Sequence, residues 1–158
     1  MDASLSIRLA TVEDRAALWD WYGEPLHRLA FRKTRVEDAE RHTAWWSRLT
    51  ADPDVTLCIG SMDIIRVGCV RFDRADDGAF EMCAYLKPAY CRLGLMPTLL
   101  DAAMDFVAKR TGGCEFRMRL QRAHPRIDAV LPRGAGDELR ADGDGALIYR
   151  RARPRPSA

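Results

Sequence analysis

No apolar run in this 158-residue chain approaches the ~20 residues that a membrane-crossing helix needs. The opening stretch MDASLSIRLATVEDR lacks a basic segment followed by an apolar one, so no secretory leader is expected and the cytoplasm is the default compartment. Cysteine is sparse and unorganised: Cys58, Cys69, Cys83, Cys91 and Cys114 form an odd set with no CxxC pair. That pattern argues against a disulfide frame or a zinc site, so no metal is expected. Four of the five read as small buried hydrophobes in strand-like runs. Charge of one sign is also scarce. With a formal net charge of +2 and basic residues spread along the chain, no concentrated face for nucleic acid is expected. What is present is an ordinary globular composition, 47% hydrophobic and 30% charged, enough for one domain with a real core. That domain is assigned to residues 1–150, and the basic, proline-containing end leaves 151–158 as a flexible tail.

Short strand patterns alternate with helical ones. SIRLA (6–10) reads as a strand, and Thr11 with Asp14 three residues on reads as a capping box opening a helix to about Trp21. Gly23 and Pro25 end that helix, and a second is expected over 36–49, with His42, Trp46 and Leu49 near one face. After the turn ADPD come three strand candidates, 55–60, 64–73 and 79–86, with connections short enough for antiparallel hairpins. A long helix follows from Pro97, striped with Leu99, Leu100, Ala103, Met104 and Val107 and stopped by Gly112-Gly113. CEFRMRL (114–120) alternates as a strand, HPRIDAVLPRGAG holds a short helix, and GALIYRR (145–151) is a last strand. The expected fold class is α/β (α+β): a mixed, mostly antiparallel sheet with helices on both faces, in the order βααβββαβαβ.

The stretch LKPAYCRLGLMPTLL (86–100) is the least ordinary part of the chain. A strand passes into a helix across a single glycine, with Pro97 already in the first helical turn. Such a junction leaves backbone N–H groups free at a helix start, where an anion is favoured.

The strand order around this turn resembles the GNAT family of acyl-CoA-dependent N-acetyltransferases over residues 6 to about 136. In that family the turn typically reads Arg or Gln, two residues, Gly, one residue, then Gly or Ala. The matching positions here are Cys91, Arg92, Leu93, Gly94, Leu95 and Met96, of which Gly94 fits strictly. The resemblance implies acetyl-CoA as acyl donor, its diphosphate held by the turn's amides, with Leu86 and His124 also on the cofactor. Gly94 is expected to admit the phosphate closely, Arg92 to add a charged contact, and Met96 to crowd the site.

The front half, WYGEPLHRLAF followed by ERHTAWWSRL, is similar to a branch acting on nucleotide-linked amino sugars of the pseudaminic and legionaminic acid pathways. Trp21, Pro25, Arg28, His42 and Trp45 carry that match. It implies a small-molecule amine acceptor, an amino sugar on a nucleotide, with Trp21, Trp45 and Arg28 binding it. A homodimer is left open. Glu81 is the first candidate for the base that takes the amine's proton, and His42 the second. Tyr90 is a candidate acid for the departing thiolate. At the position where the family often has an Asn stands His124, and seven residues on, at its usual Tyr, stands Leu131. Two alternatives follow: acetylation of protein N-termini, as in ribosomal-protein-type enzymes, or a degenerate acyl-CoA binder without turnover.

Overall fold

The computed structural model describes residues 4–22, 39–112, 115–121, 127–134 and 136–152. Its elements are β1 (Leu5–Leu9), a 3-10 turn (Val12–Asp14), α1 (Arg15–Tyr22), α2 (Ala39–Ala51), β2 (Val55–Met62), β3 (Ile65–Arg74) and β4 (Phe80–Leu86). A 3-10 turn (Pro88–Tyr90) then leads to α3 (Leu95–Thr111), β5 (Glu115–Gln121), α4 (Ile127–Val130), β6 (Glu138–Ala141) and β7 (Ala146–Ala152). The seven strands form one sheet in the order β1-β2-β3-β4-β5-β7-β6. Every neighbouring pair is antiparallel except β4–β5, where the α3 crossover makes the pair parallel.

Side-chain alternation along the strands sorts residues between two layers. On one face α3 lays Leu99, Leu100, Ala103, Met104 and Val107 against Val70, Phe72, Phe80, Met82, Leu86, Phe116 and Met118, all buried. Phe72, Phe80 and Phe116 pack at centroid separations of 5.6 to 6.1 Å. The register partners Gly60 and Gly68 let α3 sit close, because a Cβ at either would lie 2.5 or 2.6 Å from a Leu99 methyl. On the other face Leu18 and Trp21 of α1 and Trp46 and Leu49 of α2 cover Leu57, Ile59 and Cys69. Each such side chain contributes roughly 1.5–3 kcal/mol on burial.

Two buried ion clusters tie the edges down. The Asp14 carboxylate, fully buried, accepts bonds from both Arg8 terminal nitrogens at 2.8 Å, from Arg66 Nε at 2.7 Å and from the Thr11 N–H at 2.7 Å. Burial alone would raise its pKa, yet the Arg8, Thr11 and Arg66 bonds hold it far below the usual carboxylate range. At the other edge Arg151, 5% exposed, pairs with Asp101 of α3 and with Asp137, which also accepts the Tyr149 hydroxyl at 2.9 Å.

Two expectations are corrected here. Arg151 and Ala152 belong to β7, so the tail does not begin at 151: the basic residue that composition assigned to solvent is captured by two carboxylates. The order also gains a strand, β6, whose four residues are all exposed and so carry no apolar signal. The helix expected over 36–49 is described from Ala39 to Ala51, and residues 36–38 lie outside the described residues.

Candidate active site

Strands β4 and β5 share a ladder only at Phe80↔Phe116 and Glu81↔Arg117. Beyond Glu81 the two strands have no register among the described residues, so β4 continues to Leu86 with its β5 side open. The Lys87 N–H bonds the Val67 carbonyl of β3 at 2.8 Å. Amide direction alternates along a strand, so Tyr85, Cys83 and Glu81 also turn their backbone groups to β3. Met82, Ala84 and Leu86 therefore direct theirs the other way: the Met82 N–H closes the ladder on Arg117, and the Met82 carbonyl and the groups of Ala84 and Leu86 face the opening. Their side chains face the α3 layer, while Glu81, Cys83 and Tyr85 face the α1/α2 side.

The open strand edge runs directly into the start of α3. Pro88–Tyr90 makes a 3-10 turn, Cys91 is extended, Arg92 is left-handed at φ 68°, and Gly94 is left-handed at φ 74°, ψ 17° as the residue before the helix. A left-handed arginine costs about 1–2 kcal/mol, which the surrounding turn must sustain. Gly94 has no side-chain cap to offer, and no acidic residue stands in the first turn of α3. Leu95 and Met96 thus present helix-terminal amides, Pro97 has none to present, and the Thr98 N–H closes the first helical turn on Gly94. These amides, the helix dipole and the Arg92 charge are chemically suited to an anion. A Cβ at Gly94 would meet nothing within 4 Å, so glycine is required there by its positive φ, not by crowding at the surface. Met96 is half-buried and packs against the α3-side core, as do Cys91 and Leu95. The expected crowding by Met96 is relieved to that extent.

Glu81 is exposed at the closed end of the opening. Among the described residues no hydrogen bond or ion pair engages its carboxylate. Its neighbours on that face are otherwise paired: Arg71 with Asp73 at 2.8 Å, Arg117 with Asp77 and Glu115, and Arg119 with Asp142 at 2.6 Å and with Asp144. A free carboxylate beside a strand opening is chemically suited to accept a proton or to hold a cation.

His42, 4% exposed, lies between Trp19 and Trp45 at centroid distances of 4.8 and 5.3 Å. Burial lowers its pKa, and the nearby charge of Arg15 adds to this, so the ring is neutral at pH 7. Trp21 is 5% exposed in the α1/α2-side core and meets Tyr85 edge-on at 6.2 Å. Trp45 is half-buried at the margin of the same cluster. Tyr90 is half-buried, with the Lys87 ammonium 6.0 Å from its ring centre. Leu86 is buried, and Leu93 is exposed at the tip of the turn. Arg28 and His124 lie outside the described residues. Leu86 and the 91–96 turn thus come together along one line with Glu81, whereas His42 belongs to the aromatic cluster under α2. Sequence reading did not single out the backbone of Met82 and Ala84. No pattern in the residues announces it, since β4 and β5 are seven residues each and part only in the sheet.

No family model and no curated protein sequence matches the chain. Solved structures do. One is yncA of Salmonella typhimurium, determined with its cofactor acetyl-CoA: TM-score 0.72 and 19% identity, covering 98% of this chain and 96% of that one. Another is aminoglycoside acetyltransferase AAC(6')-Ib with coenzyme A, at 0.74 and 15%, covering 94% and 95%. A third is the N-acetyltransferase PseH of Campylobacter jejuni, at 0.66 and 12%, covering 94% and 97%. At these identities the likeness establishes the fold, which is that of the GNAT acetyltransferases.

Proposed function

We propose that this chain is an acetyl-CoA-dependent N-acetyltransferase acting on a primary amine of a small molecule, an amino sugar carried by a nucleotide. The observation that carries the reading is the continuity of the open β4 edge with the uncapped start of α3. A donor consisting of a diphosphate joined to a chain with two amide groups matches that surface in both parts. The Leu95 and Met96 amides, with Arg92, would receive the diphosphate. The backbone of Met82, Ala84 and Leu86 would pair with the amide-bearing arm as a missing strand would. The likeness to proteins determined with acetyl-CoA or coenzyme A supports the same donor.

Acetyl-CoA supplies an activated thioester carbonyl. The chain's contribution is to orient it and to manage protons. Glu81 takes the proton of the acceptor ammonium, directly or through one water, leaving a lone pair to form the C–N bond as the C–S bond breaks. The Tyr90 hydroxyl is assigned the donation of the proton that the departing thiolate collects, and the N–H proton shed as the amide forms returns to the Tyr90 oxygen. His42, buried between two indoles, is assigned to packing of the acceptor wall, with Trp45 at its rim and Arg28 as the acceptor's anion contact. The amino-sugar assignment rests on the WYGEPLHR and HTAWW segments, and the PseH likeness agrees with it.

A thiol-release assay tests the reading. Acetyl-CoA is offered with CMP- and UDP-linked amino sugars, aminoglycosides and peptides with free N-termini. Release with a nucleotide-linked amino sugar supports the full proposal, and release with another class moves the acceptor while keeping the chemistry. The second reading, binding without turnover, is favoured by Leu131, 7% exposed in the core where the resembled family carries a tyrosine. It predicts heat on titration with acetyl-CoA and no thiol from any acceptor.

A further inference from the structure

Arg117 stands directly beside Glu81. The two are Cα partners in the β4–β5 ladder, and opposed residues share a face with Cβ atoms about 5 Å apart. An arginine and a glutamate so placed ordinarily pair. Here the Arg117 guanidinium turns instead toward the strand beginnings, to Asp77 of the β3–β4 turn and, through Nε, to Glu115 at 3.4 Å. Asp77 is itself seated by the turn, since its Oδ1 accepts the Ala79 N–H at 3.1 Å.

The remaining charges around Glu81 are occupied in the same way. From β3, Asp73 is its other register partner and is held by Arg71. Further along β5, Arg119 goes to Asp142 and Asp144. From β7, Arg150 goes to Glu115. On β4 itself the next side chain on this face is the half-buried Cys83. Among the described residues, the arginines named around Glu81 each have another carboxylate, and Arg117, its ladder partner, is held by Asp77.

We propose that Asp77 is a positioning residue of the active site: by holding the Arg117 guanidinium at the closed end of the opening, it keeps Glu81 unpaired and able to accept the acceptor's proton. The inference rests on Glu81 being the base in the reading above. Released from Asp77, Arg117 keeps its Nε contact with Glu115, and its terminal nitrogens have Glu81 as an adjacent carboxylate. Ion pairing would favour the charged form of Glu81 and weaken it as a base.

Asp77→Asn is the informative variant, because the amide oxygen can still accept the Ala79 N–H while the charge is lost. The carboxyl carbon of Glu81 is followed by 13C NMR against pH in the full chain, and the pH profile of kcat/KM is recorded beside it. In Asp77→Asn the Glu81 titration is expected to move to lower pH, the acid limb of the profile with it, and kcat to fall several-fold. Adding Arg117→Gln to Asp77→Asn should return the titration to its original position. An unmoved Glu81 titration in Asp77→Asn, or one that Arg117→Gln does not restore, overturns the inference. Full activity of Glu81→Gln would instead overturn the assignment of the base, and the NMR titration would still decide whether Asp77 governs the charge beside it.

Discussion

Helix α3 is bounded by a left-handed glycine at each end, Gly94 at φ 74°, ψ 17° and Gly112 at φ 80°, ψ 17°. From the same backbone geometry the two ends are treated differently. At the C-terminus the Gly112 N–H bonds the Ala108 carbonyl at 2.9 Å, and Lys109 and Arg110 face the negative end of the dipole. At the N-terminus there is no side-chain cap, no acid in the first turn, and Arg92 nearby adds charge of the same sign as the dipole. The first 3-10 turn of the chain shows what a finished N-terminus looks like here, with Asp14 accepting the Thr11 N–H. One end of α3 is completed by the protein, and the other is the end that the proposed function gives to the donor's diphosphate.

The largest effect that bears on this contrast concerns the chemistry placed at the far end of the open strand. Glu81→Gln should lower kcat by about 10²–10⁴-fold, with the KM for acetyl-CoA nearly unchanged, as read by thiol release. A large rise in that KM would show that Glu81 belongs to donor binding, and the separation of seat from base would break.

Substituting the glycines tests the contrast itself. Gly94→Asp supplies a carboxylate where an external anion is expected. Affinity for acetyl-CoA in calorimetry should fall at least about tenfold, since one decade is only 1.4 kcal/mol. Gly112→Ala forces a Cβ into the left-handed region at the completed end, costing about 1–2 kcal/mol. It should lower the melting midpoint by a few degrees and leave affinity for acetyl-CoA alone. If the two substitutions act alike on affinity, the ends of α3 are not functionally distinct.

The smallest expected effect sharpens the assignment of His42 to packing. Its folded-state pKa is lowered by burial and by Arg15, so the unfolded chain binds the proton more readily. Stability from this residue is therefore complete above about pH 6.5, its unfolded value, and is lost as pH falls toward the folded value. Denaturant midpoints at about pH 7.5 and 5.5 should differ less in His42→Phe than in the parent chain. An equal difference in both would remove His42 as the source.

Most of the fold was legible because the apolar pattern and the layers coincide. The alternation in β4 and β5, the continuous apolar runs of β2 and β3 buried on both faces, and the stripe from Leu99 to Val107 mark which sides of each element are covered. β6 was not legible, since an exposed four-residue edge strand has no buried face to announce it. Arg151 was misread because an arginine's burial depends on Asp101 and Asp137, 50 and 14 residues away in the chain. At the site, the turn around Gly94 and the candidate Glu81 could be named from residue type and spacing. The free condition of Glu81 could not, because it depends on where Arg71, Arg117 and Arg119 send their charges.

Local chemistry, then, was determined by the sequence alone: a glycine where φ must be positive, a proline the helix start tolerates, and an apolar strand entering that start. The tertiary structure decided that β4 and β5 part after Glu81 and that the described cations around it are engaged elsewhere. Register and ion pairing join residues distant along the chain, and no window of neighbouring residues contains the energies that select them.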